Sequence, residues 1–326
     1  MTTRVASHAD SWYKGDPEQL GAQLDQFLAQ VPDTVEGSSL PVPGARVIIA
    51  PYSGDNAAWA YKSLDLSKAK RVFLLGPSHT MHLSGCALTA HSTWETPLGD
   101  LKIDREMVEE LQATGKFQNM PLDIDEHEHS MEMHCPYISK MITTRITDPV
   151  AYPSLVPVMV GNTSEETEKT YGRLFAPYLT DETSVFIVSS DFCHWGDRFQ
   201  YMYYMPDKST TAVARNGGGY NLRRRRDPNP TEPPIHGSIE KIDKLAMGAI
   251  EEGSHNGFLE NLRATNNTVC GRHPIGVVLS AIESLKEDGK LAADKGKFKF
   301  MRYSRSSDVV DVSDSSVSYA SAFAVL

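Results

Sequence analysis

The sequence predicts an α/β fold: a single domain with a central, mostly buried mixed sheet flanked by helices. Three observations carry this expectation. Apolar runs at Val47–Ala50, Val72–Leu75 and Val185–Val188 lack polar alternation and are rich in β-branched and aromatic residues, as strands covered on both faces are. Each run stops on a short polar signature: Pro51-Tyr52, Gly76-Pro77-Ser78-His79, and Ser189-Ser190-Asp191-Phe192-Cys193-His194. Helical segments separate them, and no internal repeat or second separable core divides the chain.

The elements follow in order. Asp16 caps and Pro17 opens a first helix whose Leu20, Leu24, Phe27, Leu28 and Val31 form one apolar stripe. A Pro/Gly/Ser-rich connector from Glu36 to Gly44 leads into the first strand. A short helix around Asn56–Leu64 joins it to the second, a βαβ spacing that predicts neighbouring parallel strands with a right-handed crossover. Ile103–Ala113 reads as a helix started by Asp104, and Asp123–Ile142 as a longer one that opens with acids and histidines. Leu155–Val160 is a strand that Pro157 would assign to a sheet edge or a bulge. Ser164, with Glu165 and Glu166, caps a helix reaching about Leu179.

The character changes over residues 205–235. Asn216-Gly217-Gly218-Gly219, the run Arg223 to Arg226 and several prolines read as a flexible surface insertion that cannot bury a core. The arginine run itself reads as a solvated loop, with a nuclear-import or anion-binding patch as the weaker alternative. Beyond it come an amphipathic helix at Ser238–Glu252 and a turn at Thr268–Pro274 that enters an apolar helix, Ile275–Leu285. Phe298–Tyr303 and Ser316–Leu326 read as late strands.

Composition narrows the function. The 326 residues carry a formal charge of −10, which argues against a nucleic-acid partner, and no apolar stretch approaches a membrane span. The N-terminal residues lack the apolar centre of a signal peptide, so the expected location is the cytoplasm, with access to the nucleus. The four cysteines are scattered, without a Cys-x-x-Cys pair, and read mostly as reduced buried thiols.

Open α/β sheets bind ligands beyond the carboxyl ends of their strands, which brings Tyr52, Ser78, His79, Asp191 and His194 toward one cleft. Cys270 precedes a helix start and neighbours Arg272 and His273, a setting that favours thiolate. With His79, Asp191 and His194 it makes a donor set suited to a transition metal. The densest titratable cluster is Glu126 to His134. On one helix, Ser130 and His134 would share a face, as would His129, Glu132 and Met133. His129, Glu132 and His134 read as a proton-donating or supporting network beside the cleft, and His127 as an ordinary helix-start residue. A serine-hydrolase elbow, a P-loop and a dinucleotide glycine fingerprint are all missing from the sequence.

Six stretches closely resemble the Memo family, named for mediating receptor-driven cell motility. They are Ser7–Tyr13 with Trp12, Leu75–His79, Glu128–His134, Val188–Gly196, Cys270–Gly276 and Asp314–Ala320. The resemblance implies a fold similar to class III, LigB-like extradiol dioxygenases. It also implies a metal site built from a histidine after Ala-Pro, His79 and Cys270, and hence iron or copper as a cofactor. In this chain Tyr52 stands where the family has the first histidine. A phenol with an ordinary pKa near 10 is a poor ligand for Fe²⁺ at neutral pH, but a neighbouring metal can lower it, so Tyr52 stays a candidate third ligand beside His79 and Cys270.

The function this implies is regulatory or signalling. A vestigial dioxygenase-like cleft lined by Trp12, Tyr52, Ser78, Asp191, His194 and Arg272 would bind a peptide, an anion or a redox metal without dioxygenase activity. His129, Glu132, His134 and His273 would support it. A phosphopeptide or a signalling protein is the partner implied. The competing reading is an iron- or copper-dependent oxidoreductase acting at the same cleft.

Overall fold

The first helix starts as its capping residue predicts. The Asp16 carboxylate accepts the Gln19 N–H at 2.8 Å, Pro17 takes the first turn, and α1 (Pro17–Ala29) buries Leu20 and Leu24. The computed structural model describes residues 2–35, 37–206, 218–224 and 226–326. Along this chain follow β1 (Ala45–Ala50), α2 (Gly54–Ser63), β2 (Arg71–Pro77), β3 (Cys86–Leu88), α3 (Arg105–Ala113) and β4 (Phe117–Asn119). Then come α4 (Leu122–His127), α5 (His129–Glu132), α6 (Cys135–Arg145), β5 (Ser154–Val160), α7 (Glu165–Thr180), β6 (Ser184–Ser189) and β7 (His194–Trp195). The chain closes with α8 (Ile235–Glu251), α9 (His255–Thr265), α10 (Arg272–Glu287), β8 (Phe298–Arg305) and β9 (Ser316–Val325).

The central sheet is mixed, in the order β7-β9-β1-β6-β2-β5-β3-β4, with β8 added on β9. Its middle, β1-β6-β2-β5, is parallel, and β9 runs antiparallel to β1. Every residue of β1 and β6 is buried, which the unalternating apolar runs foretell. Helices α7 and α10 pack on one another and against the strands, while α2 lies over β1 and β9 with α1 and α6 beside it. Phe73 of β2 stacks on Phe186 of β6 at 4.6 Å, and Phe175 of α7 meets both edge-on. The register pairs Ser189 with Ala50 and Val188 with Leu75, so three strand ends finish nearly level.

Four expectations need correction. First, β1 and β2 are parallel but not neighbours, because β6 lies between them. Second, Pro157 is at neither an edge nor a bulge, since β5 lies between β2 and β3. The Leu155 carbonyl faces away from β2 to accept the Asp104 N–H, and β3 pairs only from Val158 onward. The missing donor of Pro157 therefore falls where β3 has already ended.

Third, the helix expected over Asp123–Ile142 is three helices. Glu128 is extended (φ −79°, ψ 121°) and uses its side chain to cap α5. Fourth, the ends of the 205–235 segment do bury apolar surface. Tyr203–Tyr204 pairs with Tyr220–Asn221, and Met205, Leu222 and Ile235 join Trp195, Tyr201, Ile239 and Val309 in a smaller cluster. Asn216, Gly217 and Arg225 lie outside the described residues. Arg223 and Arg224 are exposed and pair with Asp227 and Asp197.

Gly271 locks the loop before α10 onto the end of β6. A Cβ there would meet the Ser189 carbonyl oxygen at 2.3 Å and Ser190 Cβ at 2.4 Å. Gly271→Ala is expected to cost about 1–3 kcal/mol through overpacking. Gly248→Ala in α8 meets nothing within 4 Å and should gain about 0.5–1 kcal/mol from helix propensity. Urea midpoints should move in opposite directions; equal shifts would contradict the close approach.

Candidate functional site

Three chain segments meet at Asp191, just past the carboxyl end of β6. Its Oδ1 accepts the Tyr52 N–H at 2.8 Å, which fixes the turn after β1. Its own N–H points at Cys270 Sγ, 3.1 Å away, and its carbonyl accepts the Cys270 N–H at 3.2 Å. Asp191 is 4% exposed. Burial pushes its carboxyl up to about 7, against the pull of the Tyr52 N–H and of His79.

Tyr52 sets its hydroxyl 3.6 Å from Cys270 Sγ. Burial first, then the neighbouring Cys270 and Asp191, hold this phenol well above its ordinary pKa. His79, at the end of β2, stands on the open side of the same cleft. Its Nδ1 is 3.1 Å from Glu128 Oε1. Burial alone would lower the imidazole, but the bonds and charges of Cys270 and Glu128 raise it to about 10.

Glu128 is buried and spends both oxygens on the wall of the cleft. It accepts from His79 N at 2.6 Å, Thr80 N at 3.1 Å and Ser130 N at 3.0 Å. Burial acts to raise its pKa, yet His79 and these N–H groups bring it down to about 2. His129 stacks on His79 with centroids 4.6 Å apart, and Trp12 stacks on the other side of His129 at 4.7 Å. Burial and the His79 charge push His129 down to about 4. The ligand atoms of His79, Glu128 and His129 lie within 4.8 Å of one another, so this group could hold a cation.

The other expected residues are divided. His194 belongs to the same rim. Its Nδ1 contacts the carbonyls of Phe192 (2.9 Å) and Thr268 (3.2 Å), which leaves Nε2 to face outward, and burial lowers its pKa. Ser78 turns its hydroxyl to the Met81 carbonyl at 2.8 Å. Arg272 is exposed and bonds the ring of His273 at 3.2 Å. His273 in turn engages Glu168 of α7 at 2.7 Å, and His255 holds the other Glu168 oxygen at 2.6 Å, so this network braces the starts of α9 and α10.

Glu132 and His134 face away from the cleft's polar groups. Glu132 is buried and binds Arg4 Nη1 at 2.7 Å, His8 N at 2.8 Å and Tyr13 Oη at 2.8 Å. It ties down the segment that carries Trp12. His134 lies behind Tyr52 with Nδ1 2.8 Å from Tyr61 Oη, and burial lowers it to about 3. His129 and Glu132 lie together in α5, which ends at Glu132, while Met133 and His134 form the turn that leads into α6.

Reading the sequence missed two residues. Glu128 looked like one more acid at a helix start, yet it orients His79. Arg4 lies far away in sequence, but its guanidinium is 1% exposed and bonds the Asp125 and Glu128 carbonyls as well as Glu132. A charged residue flanked by strand-like neighbours gives no sign of such a partner.

The chain is an α/β protein that gathers imidazoles, a thiol and a buried carboxylate beyond the carboxyl ends of its parallel strands. A family model described as Memo-like protein matches residues 4–323, and the chain belongs to that family. Protein MEMO1 of Xenopus tropicalis is 43% identical over 322 residues, covering 97% of this chain and 95% of that protein. Protein MEMO1 of Homo sapiens is 42% identical, with 98% and 96% covered. A MEMO1 family protein of Schizosaccharomyces pombe is 38% identical, with 98% of each covered. A crystal structure of an uncharacterized Escherichia coli K12 protein gives a TM-score of 0.41 at 14% identity, over 84% of this chain and 98% of that one. Among the described residues, no helix is long and apolar enough to cross a membrane.

The raised Asp191 carboxyl makes stability fall with pH. A folded pKa of about 7 lies above the ordinary 3.8. The group's stabilising contribution is therefore complete below about pH 4 and is lost as pH rises through about 7. Asp191→Asn keeps an oxygen for the Tyr52 N–H but carries no titrating proton. Its urea midpoint should gain on wild type between pH 4 and 7; parallel profiles would contradict the assignment.

Proposed function

We propose that this Memo-like protein is regulatory, and that its strand-end cleft binds a ligand without extradiol dioxygenase activity. The observation that carries the reading is Tyr52 Oη at 3.6 Å from Cys270 Sγ. The phenol lies where the family resemblance places a third metal ligand, and it is held in the protonated state. Only His79 and Cys270 remain as strong donors there, fewer than the three protein ligands a catalytic metal site usually keeps. These residues do not fit the three-ligand iron or copper centre implied by resemblance.

The ligand that suits the cleft is an anionic or peptide group. It would meet the charged His79, the outward nitrogen of His194 and the indole of Trp12, which is 53% exposed. A signalling-protein partner in the cytoplasm or nucleus is compatible with this chemistry, as is a phosphorylated peptide.

One observation favours the oxidoreductase reading. His79, His129 and Glu128 form a two-histidine, one-carboxylate group of the kind that holds Fe²⁺. Against it, both Glu128 oxygens are already committed to N–H donors of the cleft wall.

Anaerobic loading with Fe²⁺ or Cu⁺, followed by measurement of bound metal, separates the two. Wild type should retain less than stoichiometric metal, Tyr52→His should gain it, and Tyr52→His/Cys270→Ser should lose the gain. Stoichiometric metal in wild type that disappears in Cys270→Ser would sink the proposal. Turnover of a catechol by metal-loaded wild type would sink it too.

A further inference from the structure

The sheet has a second concave region, at the end opposite the strand-end cleft. A groove of about 980 Å³ opens where β1, β2 and β5 begin, between Asp65–Lys70 and Arg145–Tyr152. Small-molecule sites usually measure about 300–1,000 Å³, so the size is suitable. Lys70 directly precedes β2, and Tyr152 lies two residues before β5. The length of a strand, roughly 20 Å, therefore separates this groove from Asp191.

The lining combines apolar surface with positive charge. Leu66 and Ala69 are buried, and Ile146 packs against the main core. Val150 is 93% exposed and Tyr152 37% exposed. Single apolar side chains in water are ordinary, but these two flank a concavity. The turn Pro149–Ala151 that carries Val150 is fixed by Asp148, whose carboxylate accepts the Val150 N–H at 2.9 Å.

Three cations line the groove, Lys68, Lys70 and Arg145, in a chain whose formal charge is −10. Its two acids are already engaged by backbone. Asp65 accepts from Gly44 N at 2.8 Å and Ser67 N at 3.0 Å, and Asp148 holds its turn. Arg145 bonds the carbonyls of Tyr61, Lys62 and Leu64 at the end of α2, and no carboxylate among the described residues bonds it. Lys68 pairs with Glu182, but both side chains are about two-thirds exposed, so that bond yields easily. Lys70 is exposed and makes no ion pair among the described residues. Apolar area beside cations that no carboxylate neutralises fits an anion carried on an apolar body.

We propose that this groove binds small amphiphilic carboxylates, with the head group at Lys70 and Arg145 and the apolar body along Leu66, Ile146, Val150 and Tyr152. The site stands apart from the strand-end cleft, so this inference and the proposed function succeed or fail separately.

Octanoate is the probe, titrated calorimetrically into the full chain. One saturable site with a Kd of about 1 mM or tighter is expected for a ligand of this size. Hydrogen exchange read by mass spectrometry should gain protection in peptides covering residues 65–70 and 145–152, and not in those covering Tyr52, His79 or Asp191. 1-Octanol, which has the same chain without the charge, should bind at least about tenfold more weakly. Lys70→Glu and Val150→Asp should each weaken octanoate about tenfold, whereas Lys70→Arg should keep it. Both positions are exposed, so these variants keep the fold that a change at Arg145, which holds the end of α2, would put at risk. No saturable binding by about 10 mM, equal binding of 1-octanol, or unchanged affinity in both weakening variants overturns the proposal. Protection confined to the strand-end cleft overturns it as well.

Discussion

The site depends on one residue that is spent almost entirely on its neighbours. Asp191 accepts from the turn after β1 with its side chain, and binds Cys270 with both its N–H and its carbonyl. The segments of Tyr52, Asp191 and Cys270, remote in sequence, thereby meet at a single buried residue. The level finish of β1, β6 and β2 makes this possible, since each turn emerges at nearly the same height. A shift of one residue in the β1–β6 register would carry Tyr52 out of reach of Asp191 and Cys270.

A second anchor shapes the opposite wall. Arg4 fills the break between α4 and α5 by bonding the carbonyls left exposed there, and it pairs with Glu132. Glu132 then holds His8 and Tyr13, which flank Trp12. The break itself frees Glu128 to face His79. The wall is thus a helix interruption stabilised by a buried guanidinium, which also lies 4.7 Å over the Trp94 ring.

Much of this was legible in the sequence. The doubly buried strands announced themselves by unbroken apolar runs, and the rule that ligands sit beyond parallel strand ends placed Tyr52, His79, Asp191 and His194 together. The strand order was not legible. β1, β2 and β6 share the same pattern, so nothing local says that β6 enters between the other two. Glu128 was hidden because an acid at a helix start is an ordinary dipole partner. Ser78 and Arg272 looked like cleft residues by position, but side-chain direction is set by tertiary neighbours: the Met81 carbonyl takes the one and His273 the other. His134 was drawn toward the cleft by a helical spacing that the chain does not keep.

The central claim is that the Tyr52 phenol remains protonated beside Cys270 and takes the place of a metal ligand. A crystal structure of the protein grown anaerobically with excess Cu⁺ or Fe²⁺, with anomalous scattering recorded at the metal edge, tests it most directly. The account predicts Tyr52 Oη about where it now stands, near 3.6 Å from Cys270 Sγ, with no ion bonded to the phenol oxygen. A full-occupancy anomalous peak about 2.0–2.3 Å from Tyr52 Oη, His79 and Cys270 together would contradict it.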